Sequence, residues 1–153
     1  MNGGGSIGAG NQSDTFMNIT IGLDIGGTKI MVAAADSDGT LLRRVLADTP
    51  TDLAEGLALL RRLTAEVQGS DTLTAIGAAV GGPLGWRTGV VSPLHQPEWR
   101  NVPLKAIFEQ EFGCPFFVDV DTNAAALAEW RAGEEKAGRL LYLTLSTGMG
   151  AAF

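Results

Sequence analysis

Residues 19–29 read ITIGLDIGGTK, and the reading of this stretch decides the fold. Ile19, Ile21, Leu23 and Ile25 alternate with Thr20, Gly22 and Asp24, the period of a strand with one apolar face. Asp24 therefore stands with the small residues, on the face turned towards a cleft. Gly26 and Gly27 follow at once between two apolar runs, which predicts a tight hairpin into a second strand over residues 30–35. Such a turn leaves backbone N–H groups directed outwards as a seat for phosphate oxygens, with Thr28 and Lys29 beside it as further donors. Asp24 is placed to hold or orient a hydrated Mg²⁺ nearby. An isolated Gly-Gly pair is more often a plain hairpin turn. Here a carboxylate precedes it on an apolar strand, where burial without a partner is costly, and that favours a binding role.

Outward from this hairpin, Asp36 to Gly39 (DSDG) supplies a second turn and residues 40–46 a third strand. Thr51 and Asp52 open a helix with Glu55 placed as in a capping box; Leu53, Leu57, Leu60 and Val67 form its buried stripe, and Gly69 ends it. Residues 73–80 read as a strand running into Gly81, Gly82 and Pro83. Residues 85–96 carry Trp86 and His95 without clear periodicity and are expected to be a loop. A short helix is expected over residues 101–112, with Asn101 as cap and Pro103 near the first turn. A strand over 116–121, a helix over 122–136, a strand over 140–145 and a glycine turn from Ser146 to Gly150 complete the chain. Three strands followed by αβαβα predict an α/β fold, a ribonuclease-H-like lobe with a mixed five-stranded sheet flanked by helices.

Composition narrows the partners. The 153 residues suit one domain, and the formal net charge of −6, without a Lys/Arg cluster, argues against nucleic-acid or membrane-surface binding. Cys114 is the single cysteine, which excludes an internal disulfide and a cysteine-based zinc site within this chain. No apolar run reaches the roughly 18 residues of a membrane span, and the start lacks the regions of a signal peptide, so a cytoplasmic setting is expected. Residues 1–16 are rich in Gly, Ser and Asn and are expected to be a disordered tail, with Met17 a natural start for the first strand.

In the strand over 116–121 the period of two puts Phe117, Asp119 and Asp121 on one face, and Asp121 stands where strand gives way to helix. That is where ligand chemistry gathers in α/β sheets. Capping of the following helix is the alternative role for Asp121, and one carboxylate can serve both.

DIGGTK at residues 24–29 resembles the first phosphate motif of the ROK family of bacterial sugar kinases and sugar-responsive repressors, within the actin and hexokinase superfamily. DVDTNAAALAE at residues 119–129 resembles the same family's catalytic segment. The resemblance implies that Asp121 is the base that deprotonates the sugar hydroxyl, with Asn123 at the helix start and Glu129 closing the motif. Val120 stands at a sugar-contact position where glucokinase-type members carry Asn, so the resemblance implies the broader hexose class. AVGGPL at residues 79–84 resembles the family's Gly-Pro loop beside the sugar, with Gly82 and Pro83 matching; a plain turn is the alternative reading. LTLSTGMGAAF at residues 143–153 resembles the second phosphate motif, which assigns Ser146, Thr147, Gly148 and Gly150 to the nucleotide phosphates.

Together these resemblances imply an ATP-dependent hexose kinase using Mg-ATP on a hexose or N-acetylhexosamine, in a family often homodimeric. Residues 17–138 would be its N-terminal lobe, and 139–153 the first strand and phosphate turn of a C-terminal lobe absent here, leaving the isolated chain without activity. The alternatives are the sugar-sensing part of a ROK-type regulator, against which the intact DIGGTK counts, and a metal-dependent nuclease on the same fold, against which the acidic charge counts. His95 is expected to be a surface-loop histidine, Trp86 and Trp130 packing residues, and Cys114 a packing residue at a strand start.

Overall fold

Alternation in the first strand becomes burial in three dimensions. In β1 (Asn18–Ile25), Ile19, Ile21, Leu23 and Ile25 are buried and their neighbours face out. β2 (Lys29–Ala35) repeats the pattern with Ile30, Val32 and Ala34, so the first hairpin carries a continuous apolar face. The computed structural model describes residues 16–133, 138–145 and 149–153. The tail expected over residues 1–16 lies almost wholly outside them.

β3 (Leu41–Asp48) extends the meander, and α1 (Leu53–Gln68) follows. Asp52 is its N-cap, accepting from the Glu55 N–H at 2.8 Å, and Gly69 is its C-cap at a φ of 58°. The buried side of α1 is Leu60, Leu63, Thr64 and Val67; Leu53 and Leu57 are only partly covered. β4 (Thr72–Val80) returns parallel to β1. Residues 84–103, expected to be loop followed by helix cap, instead hold three two-residue strands, β5 (Leu84–Gly85), β6 (Val90–Val91) and β7 (Val102–Pro103). Strands this short leave no periodicity to read.

α2 (Leu104–Phe112) begins three residues later than expected. Asn101 does not cap it: this residue has a φ of 54°, and its N–H donates to Ser92 Oγ at 2.9 Å, so it closes the preceding loop. β8 (Phe116–Val120) and α3 (Asp121–Ala132) follow. The part of the expected helix beyond Gly133 lies outside the described residues. β9 (Tyr142–Leu145) and β10 (Met149–Ala152) form a closing antiparallel hairpin.

The main sheet has five strands in the order β3-β2-β1-β4-β8, antiparallel across β3-β2-β1 and parallel across β1-β4-β8. α1 and α2 bury Leu60, Val67, Leu104 and Phe108 on its apolar face. Each fully buried side chain of this size contributes roughly 1.5–3 kcal/mol. Phe108 stacks on Phe112 at 5.5 Å and meets Phe116 at 5.3 Å. Trp99 is fully buried against α1, where a Cβ on Gly56 would lie 2.3 Å from Trp99 Cζ2. Glycine is tolerated in this helix because the indole occupies the space of its side chain. Cys114 is buried at the entry to β8, and burial pushes its thiol up. α3 lies over the opposite face of the sheet, bordering the cleft.

Candidate functional site

Three stretches far apart in sequence meet at one edge of the sheet because the parallel strands run in register. Ile25 lies beside Val80 across β1 and β4, and Val80 beside Val120 across β4 and β8. The residues that follow these three strands are the Gly26–Gly27 turn, the Gly81–Gly82–Pro83 loop and Asp121. With neighbouring strands ~4.8 Å apart, the turn and Asp121 stand about 10 Å apart, with the Gly-Pro loop between them. The carboxyl ends of parallel strands are the preferred ligand edge in open α/β sheets.

The floor of the cleft is made of small residues. Gly22 pairs with Gly77, and Gly77 with Phe117; Asp24 pairs with Ala79, and Ala79 with Asp119. A Cβ on Gly22 or Gly77 would meet nothing within 4 Å. α3 contributes Asn123, Leu127 and Trp130 to the wall of an open cleft of about 2060 Å³. Trp86 is 65% exposed on the same cleft with the Arg87 guanidinium 4.1 Å from its ring, so Trp86 is not a core packing residue.

Asp24 and Asp121 share this edge. Partial burial pushes the Asp24 carboxyl up, and the Asp121 carboxylate pushes it further in the same direction. Asp121 is exposed at the first turn of α3 and accepts from the Thr122 N–H at 2.7 Å. The N-cap position itself belongs to Val120, which makes no side-chain cap bond, so Asp121 serves the helix start from inside its first turn, through the Thr122 N–H. A carboxylate in the first helical turn is favoured by the helix dipole. Asp119 accepts from Asn123 Nδ2 at 2.9 Å, an i to i+4 bond that fixes the start of α3 on the strand end. The period of two places Asp119 on this face, but nothing local in the sequence marks its partner.

The first glycine turn is closed more tightly than a free phosphate seat. The Gly26 N–H donates to the Lys29 carbonyl at 2.9 Å, so it is already used. The Gly27 and Thr28 N–H groups have no protein partner among the described residues. Lys29 pairs with Asp48 on β3, and both are exposed. Such a pair is worth about 0–1 kcal/mol and is readily given up. Among the described residues no cluster of three or more His, Cys, Asp or Glu could hold a metal. One or two carboxylates at a phosphate turn fit hydrated Mg²⁺, which keeps its waters and takes its remaining ligands from phosphates.

Gly82 and Pro83 are joined by a cis peptide bond, and Val120 is half-buried at the end of β8. Gly150 lies in β10, paired with Thr144 of β9. Ser146, Thr147 and Gly148 lie outside the described residues. His95 is exposed, yet it rests on the first turn: a Cβ on Gly27 would lie 2.9 Å from His95 Cβ. Nothing local in the sequence marks that contact.

A five-stranded mixed sheet in this order, with carboxylates and a glycine turn on its ligand edge, defines an actin-like ATPase lobe. The chain belongs to the ROK family, whose model matches residues 20–153. It is 34% identical over 138 residues to a glucokinase of Streptomyces coelicolor, covering 88% of this chain and 43% of that protein. It is 35% identical over 134 residues to a fructokinase of Zymomonas mobilis, covering 82% of this chain and 44% of that one. Among solved structures, a ROK family glucokinase from Streptomyces griseus in complex with glucose and AMPPNP superposes with a TM-score of 0.75 at 32% identity, covering 87% of this chain and 43% of that one. The chain therefore spans less than half the length of these relatives.

Proposed function

We propose that this chain is the N-terminal lobe of an ATP-dependent hexose kinase, with residues 139–153 opening the lobe that would close over it. The observation that carries the reading is the parallel register, which lines up the glycine turn, the Gly-Pro loop and Asp121 along one strand edge. Its relatives, a glucokinase and a fructokinase, support phosphoryl transfer to a sugar.

In this reading the sugar lies between Gly82–Pro83 and Asp121, and the γ-phosphate faces the unpaired N–H groups of Gly27 and Thr28. Asp24 orients the hydrated Mg²⁺ that accompanies ATP, and Lys29 leaves Asp48 to meet a phosphate oxygen. The second hairpin, with Ser146, Thr147, Gly148 and Gly150, grips the phosphates from the other side. Asp121 accepts the proton of the attacking hydroxyl, and transfer proceeds in line with largely electrostatic assistance. Val120 offers no hydrogen bond where a sugar hydroxyl would lie, so the acceptor is a hexose or N-acetylhexosamine of a class broader than glucose. The reaction belongs to the cytoplasm, where ATP and free hexoses meet.

One lobe alone cannot close on its substrates and exclude water, so the isolated 153-residue chain is expected to have negligible turnover. Sustained sugar-dependent ATP consumption by the pure chain would overturn that. In the full-length protein, Asp121→Asn should lower kcat by roughly 10²- to 10⁴-fold while sugar binding stays measurable by calorimetry. Undiminished turnover removes Asp121 from the chemistry. Sugar binding without phosphate transfer in the unmutated full-length protein would instead favour a sugar-sensing regulator.

A further inference from the structure

The loop that leaves the Gly-Pro segment comes back to hold the phosphate turn. Ser92 and Leu94 donate their N–H groups to the carbonyls of Pro83 and Gly82 at 3.0 and 3.1 Å. Two residues on, Gln96 is 4% exposed and donates from Nε2 to the Gly26 carbonyl at 3.3 Å, across 70 positions of sequence. The same carbonyl accepts from Thr49 Oγ1 at 2.8 Å, and the Thr49 N–H donates to the Thr28 carbonyl at 3.0 Å. The turn is therefore held from two sides: by β3 and its following residue through Thr49, and by the 92–96 segment through Gln96.

The segment itself is stiff. Arg100 Nη1 donates to the carbonyls of Pro93, Ser92 and Gln96 at 2.7, 3.2 and 3.5 Å, and the Trp99 N–H donates to the Gln96 carbonyl at 2.9 Å. Trp99 anchors it beneath α1, and His95 packs so closely on Gly27 that a side chain there would collide. Gln96 Oε1 is buried and has no partner among the described residues. The amide is thus fixed through a single donor, and its buried, unpaired acceptor carries a desolvation cost that an apolar side chain here would avoid.

We propose that Gln96 is a positioning residue that couples the Gly82–Pro83 loop to the Gly26–Gly27 turn, so that the two halves of the site move as one unit. The labels of those halves, sugar side and phosphate side, rest on the function proposed above; the coupling itself does not. A sugar that settles on Gly82–Pro83 thereby sets the turn for the nucleotide, and the reverse holds by linkage.

Amide hydrogen exchange on the 153-residue chain tests the coupling without any ligand. The Gly26 N–H, bonded to Lys29, reports the turn, and the Leu94 N–H, bonded to Gly82, reports the loop. Gln96→Ala should speed exchange at both about fivefold, the effect of losing one ordinary hydrogen bond, with amides in the middle of β1 and β4 unchanged. Gln96→Glu, which keeps the shape but sets a carboxylate against the Gly26 carbonyl, should do at least as much. Thr49→Val removes the other donor and should speed Gly26 and, through Gln96, Leu94 to a smaller extent, while in the Gln96→Ala background its effect should stay at Gly26. Unchanged exchange at either amide in the two Gln96 variants, or a Thr49→Val effect on Leu94 that is the same with and without the Gln96 side chain, overturns the proposal.

Kinetics of the full-length protein separate positioning from mere folding. Gln96→Ala should raise KM for both ATP and sugar, Thr49→Val should raise KM for ATP most and for sugar less, with the sugar effect lost in the Gln96→Ala background, and a purely structural loss would lower kcat with both KM values unchanged. If the unmutated protein phosphorylates no sugar, the functional reading fails, and the exchange pattern still decides the coupling.

Discussion

Ile25 and Ile30 flank the first glycine turn and are 2% and 0% exposed, whereas Leu145 and Met149 flank the second and are 79% and 81% exposed. Both segments have the same local design: strand, glycines, strand. The first is an inner hairpin of the main sheet, covered by α1 and held at its tip by Thr49 and Gln96. Among the described residues the second forms a separate two-stranded sheet and touches α3. A hairpin pattern thus specifies that a turn forms, and says nothing about what supports it. Leu141 and Leu143, at 64% and 60% exposed, add to an apolar edge of the kind that invites pairing with another chain.

The largest change should come from breaking the support of the first hairpin at a distance. Gly56→Ala puts a methyl group into the buried Trp99 ring, which cannot move without shifting the segment that carries Gln96. A loss of about 1–3 kcal/mol is expected, read as a lower midpoint in urea at an unchanged slope. The matching insertion in the second hairpin, Gly150→Ala, meets the Cγ2 atoms of Thr122 and Thr144 at 2.6 and 2.9 Å, with Thr122 Cβ further off at 3.8 Å. Those side chains can rotate, so a change within about 0.5 kcal/mol is expected. Equal losses at the two sites would erase the contrast.

A smaller effect, of opposite sign, is expected at Asp24. Its carboxyl is held above the ordinary value of 3.8 by burial and by Asp121, so between its unfolded and folded values the folded chain binds more protons than the unfolded one. Stability tied to this group is full below 3.8 and is lost as pH rises through the folded value. Asp24→Asn should therefore melt higher than the parent at pH 7, and the gap should narrow as pH is lowered towards 3.8. A variant less stable at neutral pH would mean that the carboxylate is a net support of the turn. Strain of this sort is common where a site is kept for binding.

The smallest change in stability, with a visible change in association, is expected from Leu143→Glu. Leu143 is already 60% exposed, so folding should be nearly unaffected, while sedimentation at high concentration should show less self-association than the parent. A parent chain that is monomeric at every concentration would remove the motive for that edge to pair.

Much of the fold was legible because its signals are local. The alternation of residues 19–25 set β1, Asp52 and Gly69 set the limits of α1, and the order of elements implied a mixed five-stranded sheet. Asp24 and Asp121 could be singled out because each is a carboxylate placed where an apolar strand ends. What the sequence could not reveal is which separated residues meet. The two-residue strands β5, β6 and β7 carry no period, and Asn101 was misread as a cap because its left-handed backbone is set by the Ser92 contact. Lys29 read as a free donor because its partner, Asp48, is fixed only by the register of β2 on β3. The contacts of His95 and Gln96 with the glycine turn depend on Trp99 lodging beneath α1, and Asp121 comes within electrostatic reach of Asp24 through parallel pairing across β4. Sequence by itself determined where the chain turns, caps and alternates, because those choices depend on a residue and its near neighbours. Tertiary structure alone decided which polar groups share a cleft, because that depends on strand register and buried volume, to which residues throughout the chain contribute.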